Sequence, residues 1–212
     1  MFIRHDAQRT PKSGLQVEVV HLRVQTVNRL LDELDFSEDA SDFKLDLLRG
    51  LVDGVPMSGH GLLMTWQTKA RSFPDALMQA VIRRFAVMEY FWRWEMYLER
   101  GGPRSLLAAH FWAVQQRLLT LLLALNRQPV LAAKWTRSVM PLLEVAPVQF
   151  QQRFEAVDRA THAEAAALLI ALVDETYDLI ERTVPGWKAG EVQRWRTLFH
   201  YHRPLWQEQP PT

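Results

Sequence analysis

PDALMQAVIRRFAVMEYFWRWEMYLERGGPRSLLAAHFWAVQQRLLTLLLALN, residues 74–126, decides what kind of fold this chain can form. Pro74 suits the first turn of a helix, where the missing N–H would have no partner anyway. From there the sequence predicts one long helix reaching about Glu99. Gly101-Gly102 stops it, and Pro103 opens a second helix that ends near Asn126. The first of these contains MEYFWRWEMYLER (88–100), and six aromatics fall within 85–97. They surround the helix instead of forming one stripe, and a helix that is apolar all round is central and buried. The expectation is a core helix with others packed about it.

Outward from that stretch the helical pattern continues. Pro129, Pro141 and Pro147 divide a region of shorter helices, at 130–143 and 148–160. Thr161 and Glu164 make a T-x-x-E capping box for a helix reaching about Val184. Pro185-Gly186 ends it, and a last helix covers 189–201. Toward the N-terminus, helices are expected at 24–34, 43–51 and 61–70. Residues 15–22 (LQVEVVHL) alternate and are β-branched, which reads as a strand. One strand cannot satisfy its own backbone, so it needs a partner from another chain or from the N-terminal tail. The fold class expected is mainly all-α, a helical bundle preceded by one β-strand. Its organisation is a flexible lead-in (1–14), a strand with short helices (15–72), the bundle (73–203) and a loose tail (204–212).

Composition narrows the function classes. The 212 residues are 48% hydrophobic and 23% charged, ordinary globular chemistry. With 25 basic against 24 acidic side chains the net charge is +1, so no global field steers DNA or an anionic membrane toward the chain. The absence of cysteine removes disulfides, zinc-thiolate sites and thiol nucleophiles together. The polar N-terminus, with Arg4, His5, Asp6, Arg9 and Lys12, lacks an apolar signal region. The apolar run at 118–125 is too short to span a bilayer. The expected compartment is the cytoplasm.

Candidate chemistry is sparse. Glu89 and Glu95 sit among the aromatics, and buried carboxylates are costly unless paired, with Arg84 and Arg93 as candidate partners. Six residues of helix turn through about 600°, so the two point about 120° apart and at most one of them lines a pocket. Arg104 and His110 have the R-x5-H spacing of a class of helical RNases in a nucleotide-binding superfamily. His200 and His202 are two residues apart, which on a helix points them away from each other. No P-loop, G-x-G-x-x-G or G-x-S-x-G is present.

Three stretches in order resemble the kanamycin-nucleotidyltransferase-like group. They are GLVDGVPMSGHGLLMTWQTKARSFPDAL (50–77), LERGGPRSLLAAHFWAVQQRLLTLLLALNRQPVLAAKW (98–135) and SVMPLLEVAPVQF (138–150). The second is similar to the family's "RGD … LFALNR … KW" region, with Arg100-Gly101 kept and the family's Asp replaced by Gly102. Leu125-Asn126-Arg127 and Lys134-Trp135 match well. The resemblance, over roughly 15–184, implies the helical domain that helps bind substrate and nucleotide, with 15–72 as remnant of the catalytic domain and its linker.

The resemblance also implies what is missing. Family catalysis begins with a Gly-Ser pair and an Asp-x-Asp that hold Mg²⁺ against a nucleoside triphosphate, and neither occurs here. Glu18, on the strand, is the one candidate metal carboxylate, and one carboxylate does not make the metal clamp of in-line phosphoryl chemistry. The chain alone is expected to transfer nothing. Mg²⁺ and nucleotide would enter only with a catalytic partner chain. The substrate-binding candidates are Glu89 and Glu95, read from the aromatic stretch, with Arg100, Lys134 and Trp135 on the side where the resemblance places a small polar acceptor. The alternatives are a non-enzymatic helical interaction module, perhaps a homodimer, and the helical RNase.

Overall fold

The computed structural model describes residues 4–9, 16–34, 40–88, 90–129, 136–184, 186–187 and 189–201, with the side chains of 4–9, 16–18 and 189 outside that description. The chain is mainly helical and divides into two compact units, Met1–Leu77 and Met78–Thr212.

The first unit begins with a hairpin. β1 (Arg4–Arg9) runs antiparallel to β2 (Gln16–His21), from Arg4 opposite His21 to Arg9 opposite Gln16. The strand's partner is therefore the N-terminal tail, and residues 4–9 of the expected flexible lead-in are themselves a strand. The nearest chain supplies the missing ladder, because closing a short loop costs less ordering entropy than recruiting a distant segment. Among the described residues the hairpin's extensive packing is strand on strand alone. Val19 and Val20 are 38% and 46% exposed; neighbours along a strand point to opposite faces, so neither face is covered there.

Three helices complete this unit. α1 (Val24–Asp32) buries Val27 and Leu31. α2 (Asp42–Asp53) is capped by Ser41, whose Oγ accepts from the Lys44 amide at 3.4 Å. α3 (His60–Ser72) packs on both. Gln67 on α3 donates from Nε2 to the Leu51 carbonyl (3.1 Å), which also accepts from the Gly54 amide, and to the Gly54 carbonyl (2.8 Å), tying α3 to the end of α2. Trp66 Nε1 donates to Asn28 Oδ1 at 2.7 Å, and Lys69 pairs with Asp32.

The second unit corrects the long-helix expectation. α4 (Asp75–Phe85), which starts before the unit boundary, ends far short of Glu99, and the chain resumes helix only at α5 (Arg93–Glu99). Between them the carbonyls of Ala86 and Val87 are taken by side chains of other helices. The Tyr177 hydroxyl donates to Ala86 O at 2.6 Å, and Arg117 donates to Val87 O at 2.8 Å. A continuing helix would need those same carbonyls for the amides four residues on. Tyr90 adopts φ +62°, a left-handed turn that redirects the chain. The aromatics are thereby sorted by environment: Phe91 is buried, Tyr90 is exposed, and α5 buries no residue at all.

The central helix is instead α6 (Arg104–Leu125), whose last eight residues are all buried. Among the described helices it alone is long and apolar enough to cross a membrane, yet 56% of that apolar window is buried inside the protein, as befits a core helix. α9 (His162–Thr183) packs along it, and α8 (Phe150–Val157) and α10 (Ala189–Phe199) pack on α9. The short α7 (Thr136–Val139) and a 3₁₀ turn (Met140–Leu142) connect α6 to α8. The capping box of α9 forms: the Thr161 amide donates to Glu164 Oε2 at 2.9 Å, and the Glu164 amide donates to Thr161 Oγ1 at 3.4 Å.

Both helix stops flanking Pro103 and Asn126 are Schellman motifs. At α5 the Gly102 amide donates to Tyr97 O (2.8 Å) with Gly101 at φ +62°, and at α6 the Gln128 amide donates to Leu123 O (2.9 Å) with Arg127 at φ +54°. A Cβ on Gly102 would lie 3.0 Å from the Tyr97 carbonyl oxygen. That crowding gives a structural reason for glycine at this position.

Candidate functional site

One cleft in the second unit gathers cations. It encloses about 450 Å³ and is lined by Arg84, Val87, Met88, His110, Ala113, Val114 and Arg117. His110, Ala113, Val114 and Arg117 are spaced i, i+3, i+4, i+7, so α6 presents them on one face. The facing wall is the last turn of α4 and the break after it. Continuous helix there would turn these residues around its own axis, so the break is what lays Val87 and Met88 along α6.

The polar groups are held by backbone. One Arg117 NH group is committed to Val87 O, which leaves four of its five N–H donors for a ligand. His110 Nε2 lies 3.0 Å from Phe91 O, so the neutral ring carries its proton there and its lone pair on Nδ1. The ring stacks on Phe91 (5.7 Å, 15°) and meets Tyr97 edge-on (5.8 Å). Burial lowers the His110 pKa below the ordinary 6.5; the Phe91 carbonyl opposes this and the Arg93 charge adds to it. At neutral pH the imidazole is uncharged and the two guanidiniums carry the positive charge. Among the described residues no carboxylate lines the cleft, and Arg84 is engaged in an interaction of its own.

The residues singled out from sequence disperse. Glu95 is half-buried in the first turn of α5 and engaged in an interaction of its own, and Arg100 is exposed at the C-cap of that helix. Neither lines this cleft. Glu89, Lys134 and Trp135 lie outside the described residues. Glu18 stands opposite Ala7 in the hairpin, its side chain likewise outside the description. Arg93 lies over the Tyr90 ring at 4.3 Å. Arg104 is exposed in the first turn of α6 while His110 turns toward Phe91 and the cleft, so the structure does not bring the R-x5-H pair together.

Two other clusters have structural roles. His200 Nε2 lies 3.0 Å from both Asp174 carboxylate oxygens, and Arg196 ties Asp174 (2.7 Å) to Asp178 (2.6 Å), pinning α10 to α9. Among the described residues no three His, Asp or Glu side chains gather as a metal site. Asn126 uses its whole amide: Nδ2 donates to the carbonyls of Leu122 (2.7 Å) and Val145 (2.9 Å), and Oδ1 accepts from the amides of Glu144 and Val145, both at 2.8 Å.

Sequence reasoning passed over Arg117. The signal was there, an arginine seven residues after His110 on a helix, but without the facing wall nothing marks it from any surface arginine. Comparison of the chain with protein-family models, with curated proteins and with solved structures found no match.

Proposed function

We propose that this chain is a helical ligand-binding domain that performs no group transfer alone and receives an anionic group of a small molecule in the Arg84–His110–Arg117 cleft. The observation that carries this reading is a cleft of about 450 Å³ lined, among the described residues, by Arg84, His110 and Arg117, with the Arg117 guanidinium set there by its bond to Val87 O. Guanidinium forks match carboxylate and phosphate oxygens, and the volume suits a small ligand. The reading agrees with the nucleotidyltransferase-like resemblance in the part the helical half plays there, binding substrate or nucleotide. Mg²⁺ and phosphoryl chemistry belong in this reading to a catalytic partner chain, and the compartment is the cytoplasm. The test is calorimetric titration of the purified chain with pyrophosphate, beside Arg84→Gln and the Arg84→Gln/Arg117→Gln double variant. Saturable binding weakened about tenfold or more by the loss of such charge-assisted bonds is expected. No binding, or binding indifferent to both variants while they remain folded by circular dichroism, refutes it.

A second reading, a protein-interaction module, is favoured by the hairpin. A two-stranded hairpin is marginal in water by itself, and here Val19 and Val20 expose both its faces. Light scattering across a range of concentrations decides this: a monomer throughout removes the homodimer form of the reading.

A further inference from the structure

α6 carries a second cleft on its other side. His110, Ala113, Val114 and Arg117 share the face turned to the first cleft, and Trp112 points about 150° away from the middle of that face. Gln115, on the Trp112 side of the helix, donates from Nε2 to Phe154 O at 3.2 Å and fixes α6 against α8. The hollow here encloses about 370 Å³ and shares no lining residue with the first cleft. Its walls come from α6 (Trp112), from α7 and the 3₁₀ turn (Arg137, Met140), and from α8 with its C-cap (Phe154, Asp158).

The floor is apolar and the rim is ionic. Met140 and Phe154 are buried, while Trp112 keeps 42% of its surface open. Thr136, also buried, is engaged in an interaction of its own. Two of the charged lining residues answer each other: Glu155 accepts from Gln151 Nε2 at 3.1 Å and pairs with Arg159 at 4.0 Å. Arg137 and Asp158 do not. Both are exposed, and among the described residues neither side chain has an ion-pair or hydrogen-bond partner, each other included. The cleft thus offers an uncommitted guanidinium and an uncommitted carboxylate above an aromatic floor.

We infer that this second cleft binds a zwitterion with an aromatic body, of the α-amino acid class. The carboxylate meets the Arg137 guanidinium, the ammonium meets the Asp158 carboxylate, and the ring lies against Trp112 and Phe154. A guanidinium fork takes a carboxylate through two parallel N–H bonds, and an ammonium donates to a carboxylate in a bond of the same charge-assisted kind. An aromatic ring gains from the open indole face and from the Met140 sulfur. A ligand of one sign does worse. An anion held by Arg137 shares the cleft with an Asp158 that repels it, and a cation held by Asp158 shares it with Arg137. A zwitterion without a ring leaves the floor unfilled.

The experiment titrates the full chain, by ligand-observed NMR at neutral pH, with phenylalanine and with relatives that each lose one feature. Phenylalanine amide keeps only the positive charge, N-acetylphenylalanine only the negative, and alanine keeps both charges without the ring. Phenylalanine is expected to bind about tenfold or more tightly than each of them. Arg137→Gln should weaken phenylalanine about fivefold or more and leave the amide within about twofold. Asp158→Asn should do the same to phenylalanine and leave the N-acetyl compound within about twofold. Equal affinity for phenylalanine and either single-charge relative on the unaltered chain overturns the inference, whatever the variants do. Variants that weaken all the ligands alike, or no binding of phenylalanine, overturn it too. Uncharged N-acetylphenylalanine amide binding as tightly as phenylalanine would make the cleft a seat for an aromatic side chain of a polypeptide, and so also overturn it.

Discussion

Replacing Asn126 by aspartate changes one group in the molecule, and the structure fixes what that group must do. Two amides, of Glu144 and Val145, point at Oδ1, and two carbonyls, of Leu122 and Val145, receive Nδ2. An aspartate keeps the acceptor side. On the donor side it sets a carboxylate oxygen where Nδ2 now lies 2.7 and 2.9 Å from two carbonyl oxygens. That contact is repulsive unless the carboxyl is protonated, and even then one proton serves only one carbonyl.

Deleting the amide altogether (Asn126→Ala) forfeits four hydrogen bonds at a half-buried position where water replaces some of them, for a loss of about 2–3 kcal/mol. In a chain of this size that lowers Tm by roughly 4–12 °C. Asn126→Asp should lose more than Ala at neutral pH. The folded state then raises the new carboxyl above its unfolded value of about 3.9, so the folded protein binds the proton more tightly. The penalty is full above the folded pKa, shrinks as pH falls through it, and stops shrinking below the unfolded value. Urea unfolding followed by far-UV circular dichroism near pH 7.5 and near pH 5 reads both effects. Wild-type stability in Asn126→Asp at the higher pH, or a gap between the Asp and Ala variants that does not narrow toward the lower one, would refute the reasoning.

Tyr177→Phe strips the donor from the buried Ala86 carbonyl and should cost about 2 kcal/mol in urea, while Tyr201→Phe at an exposed position after α10 changes nothing; equal effects from the two would count against the bond. His110, whose pKa burial lowers, stays neutral in the folded protein while the unfolded chain takes up a proton as pH falls below 6.5. Wild type should therefore lose stability toward acid faster than His110→Gln does, and parallel urea midpoints between about pH 7.5 and pH 5.5 would contradict this. The Glu164 carboxyl is held below its usual range by the Thr161 amide and hydroxyl, so its contribution is present at neutral pH and lost as pH falls through the folded pKa. Glu164→Gln should flatten that part of the acid-unfolding profile, and an unchanged profile would show that the capping box adds nothing.

The parts of the fold legible in the sequence are those set by neighbours in the chain. Thr161-x-x-Glu164 declares its helix start, Gly101-Gly102 and Pro103 a stop and a start, and the Val-rich alternation of 16–21 a strand. The rest depends on residues far away. RHDAQR has no strand pattern, and residues 4–9 become one because an adjacent ladder stands open to them. The helix predicted through 86–92 fails because Tyr177 and Arg117, 91 and 30 residues distant from their carbonyl partners, claim its backbone. The cleft inherits that difficulty: His110 and Arg84 drew notice in sequence for other reasons, and Arg117 became visible only with Val87 laid across from it. Asn126, quoted for a family likeness, is a fastener between the end of α6 and residues 144–145.

The unwinding between α4 and α5 makes the cleft a late product of folding. Residues 74–100, cut free as a peptide, contain no tyrosine hydroxyl or guanidinium from α6 or α9 to capture Ala86 and Val87, and their local preference is for a single rod. Only after α6 and α9 have docked does that rod have reason to open, and only then do Arg84 and Arg117 line a shared hollow. A mutation that loosens the α6–α9 seam would in this way remove the proposed ligand binding before it removed helix content. An anion titration would register the damage while far-UV circular dichroism still looked healthy.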